Sequence, residues 1–318
     1  MDLTEFKPSI IIPTYNRPSD LRNCIKSILN QTIKPFEIII VDDGDLSELP
    51  LQKECKDAGI QYKYFKKSKR GLTESRNEGI QLAAGDIIFF LDDDVVLFPD
   101  YIEEILIIYE SDKEGLIGGV GGLIAKSSPK KLSHRLRRII DIFFLVSGFN
   151  EGKILPSGFA TNFGVKRNPS RKNMEVDFLS GGAMSFKKEI FKEFFFDNVR
   201  YINYGLGEDQ EFSYRVSRKY KLIVNPKEML LHLESIQMRP DKKAMGRMFV
   251  LNRYLFFREH VKKHWWSWIF FYYALFGYLI ERTIIFVVSP KKEHLDRLRG
   301  ILKAIKEILA GDFHIGEQ

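Results

Sequence analysis

The strongest constraint on folding in this chain is Ile87 to Leu91, an unbroken apolar run that stops at three consecutive aspartates, Asp92, Asp93 and Asp94. A short run without polar interruption, preceded by Gly85-Asp86 and followed by acids, reads as a strand buried on both faces. Adjacent carboxylates repel one another unless positive charge sits between them, and hard oxygen ligands suit Mg2+ or Mn2+. The carboxyl end of a strand is also where open α/β sheets bind ligands. A solvated acidic turn is the plain alternative, but three acids abutting a core strand make a poor turn.

The flanking sequence repeats the theme. Pro8 to Ile12 is an apolar run closed by Pro13-Thr14-Tyr15-Asn16, and Leu21, Ile25, Ile28 and Leu29 follow at helical spacing. Phe36 to Val41 predicts a second buried strand ending in Asp42-Asp43-Gly44. A helix over roughly 46–58, a strand near 61–65 and a helix over 71–84 then lead to the central strand. Strands alternating with helices predict a doubly wound, parallel sheet with right-handed crossovers. Two of its strands end in acids on one rim. Further on, the pattern predicts a glycine-rich strand and turn over 115–122, an irregular basic stretch over 126–174 and a short helix over 187–195. Two short strands over 222–226 and 229–232 complete the reading.

The motifs Ser-Ile-Ile-Ile-Pro-Thr-Tyr-Asn-Arg from Ser9, Ile-Val-Asp-Asp-Gly from Ile40, Ser-Arg-Asn-Glu-Gly from Ser75, Phe-Leu-Asp-Asp-Asp from Phe90 and Gly-Glu-Asp-Gln-Glu-Phe-Ser-Tyr-Arg from Gly207 occur in that order. In this order and spacing, over about 8–234, the sequence resembles the family 2 glycosyltransferases. That resemblance implies a GT-A fold, a Rossmann-like mixed and mainly parallel sheet flanked by helices. It also implies an inverting transfer of sugar from a nucleotide-sugar donor, with Mn2+ or Mg2+ as cofactor.

By the same resemblance, Pro13 and Tyr15 contact the nucleotide base and Asp43 accepts a hydrogen bond from it, suiting a uracil or thymine N–H. Arg76 and Asn77 face the diphosphate, for which a planar guanidinium is well shaped. Asp94 ligates the metal, with Asp92 and Asp93 near the ribose or metal-bound water and His232 closing the metal site. Gly181 and Gly182 form a tight turn beside the acceptor. Asp209 is the general base, and Glu208 holds the helix start or the acceptor. For Asp209 and Glu208 the plain alternative is a pair of acids stabilising a helix N-terminus.

Composition narrows the partners. The 318 residues carry a net charge of +7 and 44% hydrophobic residues, enough for a large α/β domain with an appendage. Lys262-Lys263 and Lys291-Lys292 flank the most apolar stretch, which favours a membrane surface over nucleic acid as partner. No zinc-knuckle spacing or RNA-binding aromatic signature is present. Two cysteines, Cys24 and Cys55, and a polar start without a secretory leader predict a cytosolic location. Trp265 to Val288 is long enough for a hydrocarbon core of about 30 Å, but Glu281 and Arg282 oppose a span. An interfacial or re-entrant helix at the inner face of the cell membrane is the expectation, ahead of a buried helical subdomain and a true span.

The sequence therefore predicts a nucleotide-sugar-binding and catalytic domain over 1–235 and a helical, membrane-associated segment over 236–318. The favoured donors are UDP- or dTDP-linked, and the favoured acceptor is a lipid-linked glycan. The competing readings are a metal-dependent nucleotidyltransferase, whose glycine-rich phosphate loop is missing from Pro13 to Pro18, and a non-catalytic membrane-bound scaffold.

Overall fold

The computed structural model describes residues 3–125, 133–163, 172–202, 205–233, 235 and 240–312. The chain divides into two compact units, one of Met1–Ser127 with Asn168–Met238 and one of Ser128–Arg167 with Arg239–Gln318. The stretch 128–167, which a linear division at residue 235 places in the first domain, groups with the C-terminal helices.

The first unit is a mixed sheet flanked by helices. Its strands are β1 (Pro8–Thr14), β2 (Glu37–Asp42), β3 (Gln61–Lys66), β4 (Ile87–Phe90), β5 (Val95–Leu97), β6 (Ile117–Ala125), β7 (Met174–Val176), β8 (Met184–Lys187) and β9 (Lys221–His232), in the order β3-β2-β1-β4-β8-β6-β9-β5 with β7 also on β9. From β3 to β4 the pairing is parallel; β8 then runs antiparallel to both β4 and β6. All residues of β1, β2 and β4 are buried, which is why these strands read as continuous apolar runs rather than alternating ones.

The helices of this unit are α1 (Pro18–Leu29), α2 (Gln52–Asp57), α3 (Leu72–Leu82), α4 (Tyr101–Glu110) and, after a 3-10 turn at Lys188–Lys192, α6 (Glu208–Ser217). Leu21, Ile25 and Ile28 of α1 and Tyr101, Ile102 and Ile105 of α4 pack with Ile10, Ile38 and Phe89 in one core. Phe90, Phe186, Phe191, Phe196 and Phe212 form an aromatic cluster of edge-on and stacked rings. Because β1, β2 and β4 are parallel and in register, their carboxyl ends bring Thr14, Asp42 and the Asp92–Asp94 segment to one rim. Sequence reading misses two features here. The helix expected over 46–58 is reduced to α2, and the two strands expected over 222–232 are one 12-residue strand, β9. Register shifts against β6 carry β9 past Pro226, so proline does not end the strand.

The second unit is helical: α5 (Ser133–Phe143), α7 (Lys242–Phe256), α8 (Trp268–Val288) and α9 (Lys292–Ala310). A π turn at Phe257–Val261 and a 3-10 turn at Trp265–Ser267 lie between α7 and α8. Helix α5 falls within the stretch that sequence reading leaves irregular. Val250, Leu251, Phe257, Phe271, Ala274, Tyr278, Ile301 and Ala304 form its core. Helices α7 and α9 touch backbone to backbone: a Cβ on Gly300 would collide with the Lys243 carbonyl, and one on Gly246 with that of Arg297. Arg247 pairs with Glu307 across the same crossing at 2.9 Å. Trp265, Trp266 and Trp268, the chain's three tryptophans, all lie at the start of the apolar helical stretch.

Candidate active site

Each carboxylate on the rim is held differently. Asp92 and Asp94 follow β4, and His232 ends β9, whose pairing with β5 (His232 opposite Val95) brings the imidazole back to the aspartates. Ligand atoms of Asp92, Asp94 and His232 lie within 4.8 Å of one another. His232 Nε2 is 3.0 Å from Asp94 Oδ1, and the Ser235 N–H donates to Asp94 Oδ2 at 3.0 Å. Burial works against charge on Asp94, but His232, the Ser235 N–H and Arg17 together hold its carboxyl below the usual range. Two carboxylates and an imidazole within reach of one point fit a divalent cation such as Mn2+ or Mg2+. Sequence reading named Asp94 and His232 as ligands; the geometry adds Asp92.

Asp93 takes other partners. It accepts from Thr14 Oγ1 at 2.8 Å and from Arg17 Nη1 at 3.0 Å, and burial, opposed by Arg17, pushes its carboxyl up to about 6. These bonds tie the acidic turn to the end of β1 and the loop that follows it. Arg17 also reaches Asp94 at 3.8 Å. Its place in the first motif was visible, but its partner lay far away in sequence.

Arg76 is the buried centre of a second cluster. Only 1% exposed, it reaches Glu208 at 2.6 Å, Asp92 at 3.5 Å and the Gly181 carbonyl at 3.4 Å. The guanidinium thus sits among the protein's own acids on this rim. Asn77 likewise gives its whole amide to Phe196, donating to the carbonyl at 2.9 Å and accepting from the N–H at 3.0 Å. It fastens α3 to the segment before α6.

Glu208 and Asp209 open α6. Burial, reinforced by Asp209, pushes Glu208 up to about 8 against the opposing charge of Arg76. Burial also raises Asp209, while Arg76 and the N–H groups of Gly181 and Gln210, each donating at 2.8 Å, oppose it. Gly181 and Gly182 are the spacers of this arrangement. A Cβ on Gly181 would press on Arg76 and Asp209, and one on Gly182 on Asp92.

At the other end of the rim, the Asp43 carboxylate accepts from the Gly71 N–H at 2.8 Å and from Ser75 Oγ at 2.5 Å, with Lys67 at 3.3 Å. It is engaged by the loop before α3 and by the first turn of that helix, a set of partners that no local motif announces. Pro13 is buried in β1 and half-buried Tyr15 lies beyond it, with the Arg70 guanidinium 4.0 Å over its ring.

The sequence profile for glycosyl transferase family 2 matches residues 9–195. The glucosyl-dolichyl phosphate glucuronosyltransferase of Haloferax volcanii is 27% identical over 190 residues, covering 59% of this chain and 54% of that protein. The chain spans between 17% and 54% of the length of the first curated relatives it matches. Among solved structures, GalNAc-T7 with UDP, GalNAc and Mn2+ superposes with a TM-score of 0.58 at 16% identity, covering 98% of this chain and 58% of that one. The mannosyltransferase PcManGT of Pyrobaculum calidifontis, in complex with GDP-Man and Mn2+, gives 0.55 at 13% identity, covering 97% and 88%. Likeness at this identity establishes the shared fold.

Proposed function

The chain belongs to glycosyl transferase family 2, and on that premise we propose that it is an inverting transferase moving a sugar from a UDP- or dTDP-linked donor to an acceptor hydroxyl. The observation that carries this reading is the convergence of Asp209, on α6, with the Asp92–Asp94–His232 cluster around one buried guanidinium, Arg76. Among the described residues, Asp92, Asp93 and Asp94 lie beside the guanidinia of Arg17 and Arg76, and the ligand atoms of Asp92, Asp94 and His232 converge within 4.8 Å, a set that fits a cation.

In this proposal Asp209 takes the proton of the acceptor hydroxyl as the acceptor oxygen bonds to the anomeric carbon. The bond from that carbon to the diphosphate breaks on the opposite face, and the configuration inverts. Desolvation makes Asp209 a stronger base than a free aspartate, while its two backbone N–H donors fix its direction. Arg76 keeps Glu208 and Asp92 in place around it. Asp92, Asp94 and His232 would hold a divalent cation, which when bound would offset the negative charge of the leaving diphosphate. The pyrimidine base lies beside Pro13 and Tyr15.

The first unit carries donor binding and catalysis, and the second associates with the cytoplasmic face of a membrane, which favours a lipid-linked glycan as acceptor. Calorimetry with UDP-, dTDP- and GDP-sugars, in Mn2+ and then EDTA, tests the site. One donor should bind and lose its binding in EDTA. Asp94→Ala should abolish metal-dependent binding, and Asp209→Asn should bind donor while turning over roughly 10²–10⁴-fold more slowly. Full turnover in Asp209→Asn would exclude it as the base.

A further inference from the structure

Helix α8 is built inside out for a helix in water. Its 21 residues make a rod of about 30 Å, and one face, with Phe271, Ala274 and Tyr278, packs into the core of the helical unit. The opposite face is exposed yet apolar: Ile269 is 66% exposed, Tyr272 42%, Phe276 57%, Ile284 43% and Val287 72%. The exposed hydroxyl of Thr283 in the same stripe is turned back on the helix, donating to the Leu279 carbonyl at 2.9 Å. Neighbouring α5 widens the face, with Phe143 67% exposed and its carbonyl accepting from the Tyr273 hydroxyl at 3.1 Å. A contiguous apolar surface of this kind marks a site of association.

The charges say what covers it. The helix has one acid, Glu281, and it is turned inward, 3% exposed and paired with Arg137 of α5 and with Arg282. The exposed stripe therefore carries no negative charge. Exposed lysines mark both ends of the rod, Lys262 and Lys263 before it and Lys291 and Lys292 after it. Trp265, 81% exposed, and Trp266 stand at the entry, where indole rings prefer the headgroup level of a bilayer. The stretch from Trp265 to Val288 has the length and hydropathy of a span. Its packing opposes that use, because a spanning α8 would draw the Arg247–Glu307 pair of α7 and α9 toward hydrocarbon with it.

We propose that this face is a membrane-docking surface whose partner is an anionic phospholipid bilayer, with α8 lying in the plane of the interface and both of its ends on the same side. This rests on the membrane reading above and adds its geometry and lipid class. The lysines meet acidic headgroups while the aromatic stripe enters the acyl boundary.

The test uses the full chain and vesicles of phosphatidylcholine alone or with about a third phosphatidylserine, the composition range over which surface charge matters. Cosedimentation should be at least tenfold stronger on the anionic vesicles. Phe276→Asp with Ile269→Asp should lower binding at least tenfold while donor binding in solution stays unchanged. Replacing Lys262, Lys263, Lys291 and Lys292 by Gln should remove the preference for phosphatidylserine. Cys24 and Cys55 are fully buried, so His264→Cys and Pro290→Cys report the two ends separately. With protein added from outside, an impermeant maleimide should label both. Labelling at one end only would establish a span, overturning the in-plane geometry and leaving the membrane reading intact. Absence of binding to either vesicle would overturn both. Self-association that Phe276→Asp abolishes, without vesicle binding, would assign the face to a second copy of the chain instead. None of these outcomes depends on sugar transfer, so they leave the catalytic proposal to its own assay.

Discussion

The two units depart from ordinary folding economy in opposite directions. On the carboxylate rim of the first unit Asp93, Asp94 and Glu208 are each less than 9% exposed, whereas along α8 of the second unit Ile269, Phe276 and Val287 are each more than half exposed. Burial raises the proton affinity of Asp93 and Glu208, against Arg17 and Arg76, while His232 and its neighbours hold Asp94 down, and the exposed aromatics forfeit burial that the core could have used. Departures on this scale persist where a ligand or surface completes them. On the two proposals above, a cation completes the rim and an apolar surface with an anionic border completes α8.

The comparison breaks most easily at its most heavily paired residue. Arg76→Leu leaves Glu208, Asp92 and Asp209 without their common counter-charge, and denaturant unfolding should show a loss of about 3–5 kcal/mol; a loss below 1 kcal/mol would mean that the acids are protonated without it. In the second unit Gly277 packs on Phe144, where a Cβ would overlap the phenyl side chain. Gly277→Val should cost about 1–3 kcal/mol by overpacking, with the far-ultraviolet spectrum showing whether helix content falls.

The smallest effect sharpens the contrast by pH. Burial, with Glu281 adding to it and Arg137 and Arg282 opposing, raises Asp141 of α5 to about 6. A carboxyl whose folded pKa exceeds its unfolded value of 3.8 contributes stability below the unfolded value and loses it as pH rises through about 6. Discounted for the solvent that reaches the group, the slope amounts to about 1 kcal/mol. Asp141→Asn should flatten that part of the pH profile in thermal melts of the protein.

What sequence reveals follows from the range of the interactions. The β1, β2 and β4 strands, the acidic turn and the Glu208–Asp209 helix start were all legible, because each depends on an apolar run or a neighbouring pair. The partners were not. Arg76 meets Glu208 from 132 positions away, Thr14 meets Asp93 from 79 and Asn77 meets Phe196 from 119. Asn77 looked like a donor ligand because its neighbours form a motif, yet its amide bonds a backbone that only tertiary folding brings near. The membership of 128–167 in the helical unit is hidden for the same reason: α5 finds its partners in α8, across more than a hundred residues.

With all of its tryptophans at residues 265, 266 and 268, the chain carries a natural optical label on one short segment. Its indole emission reports the surroundings of the α8 entrance, while the sheet contributes to backbone circular dichroism but holds no indole of its own. Heating the protein while following both signals would give coincident curves if the two units melt as one and separate curves if either unfolds first. The same emission, read during titration with a nucleotide sugar, would reveal whether filling one unit alters the other.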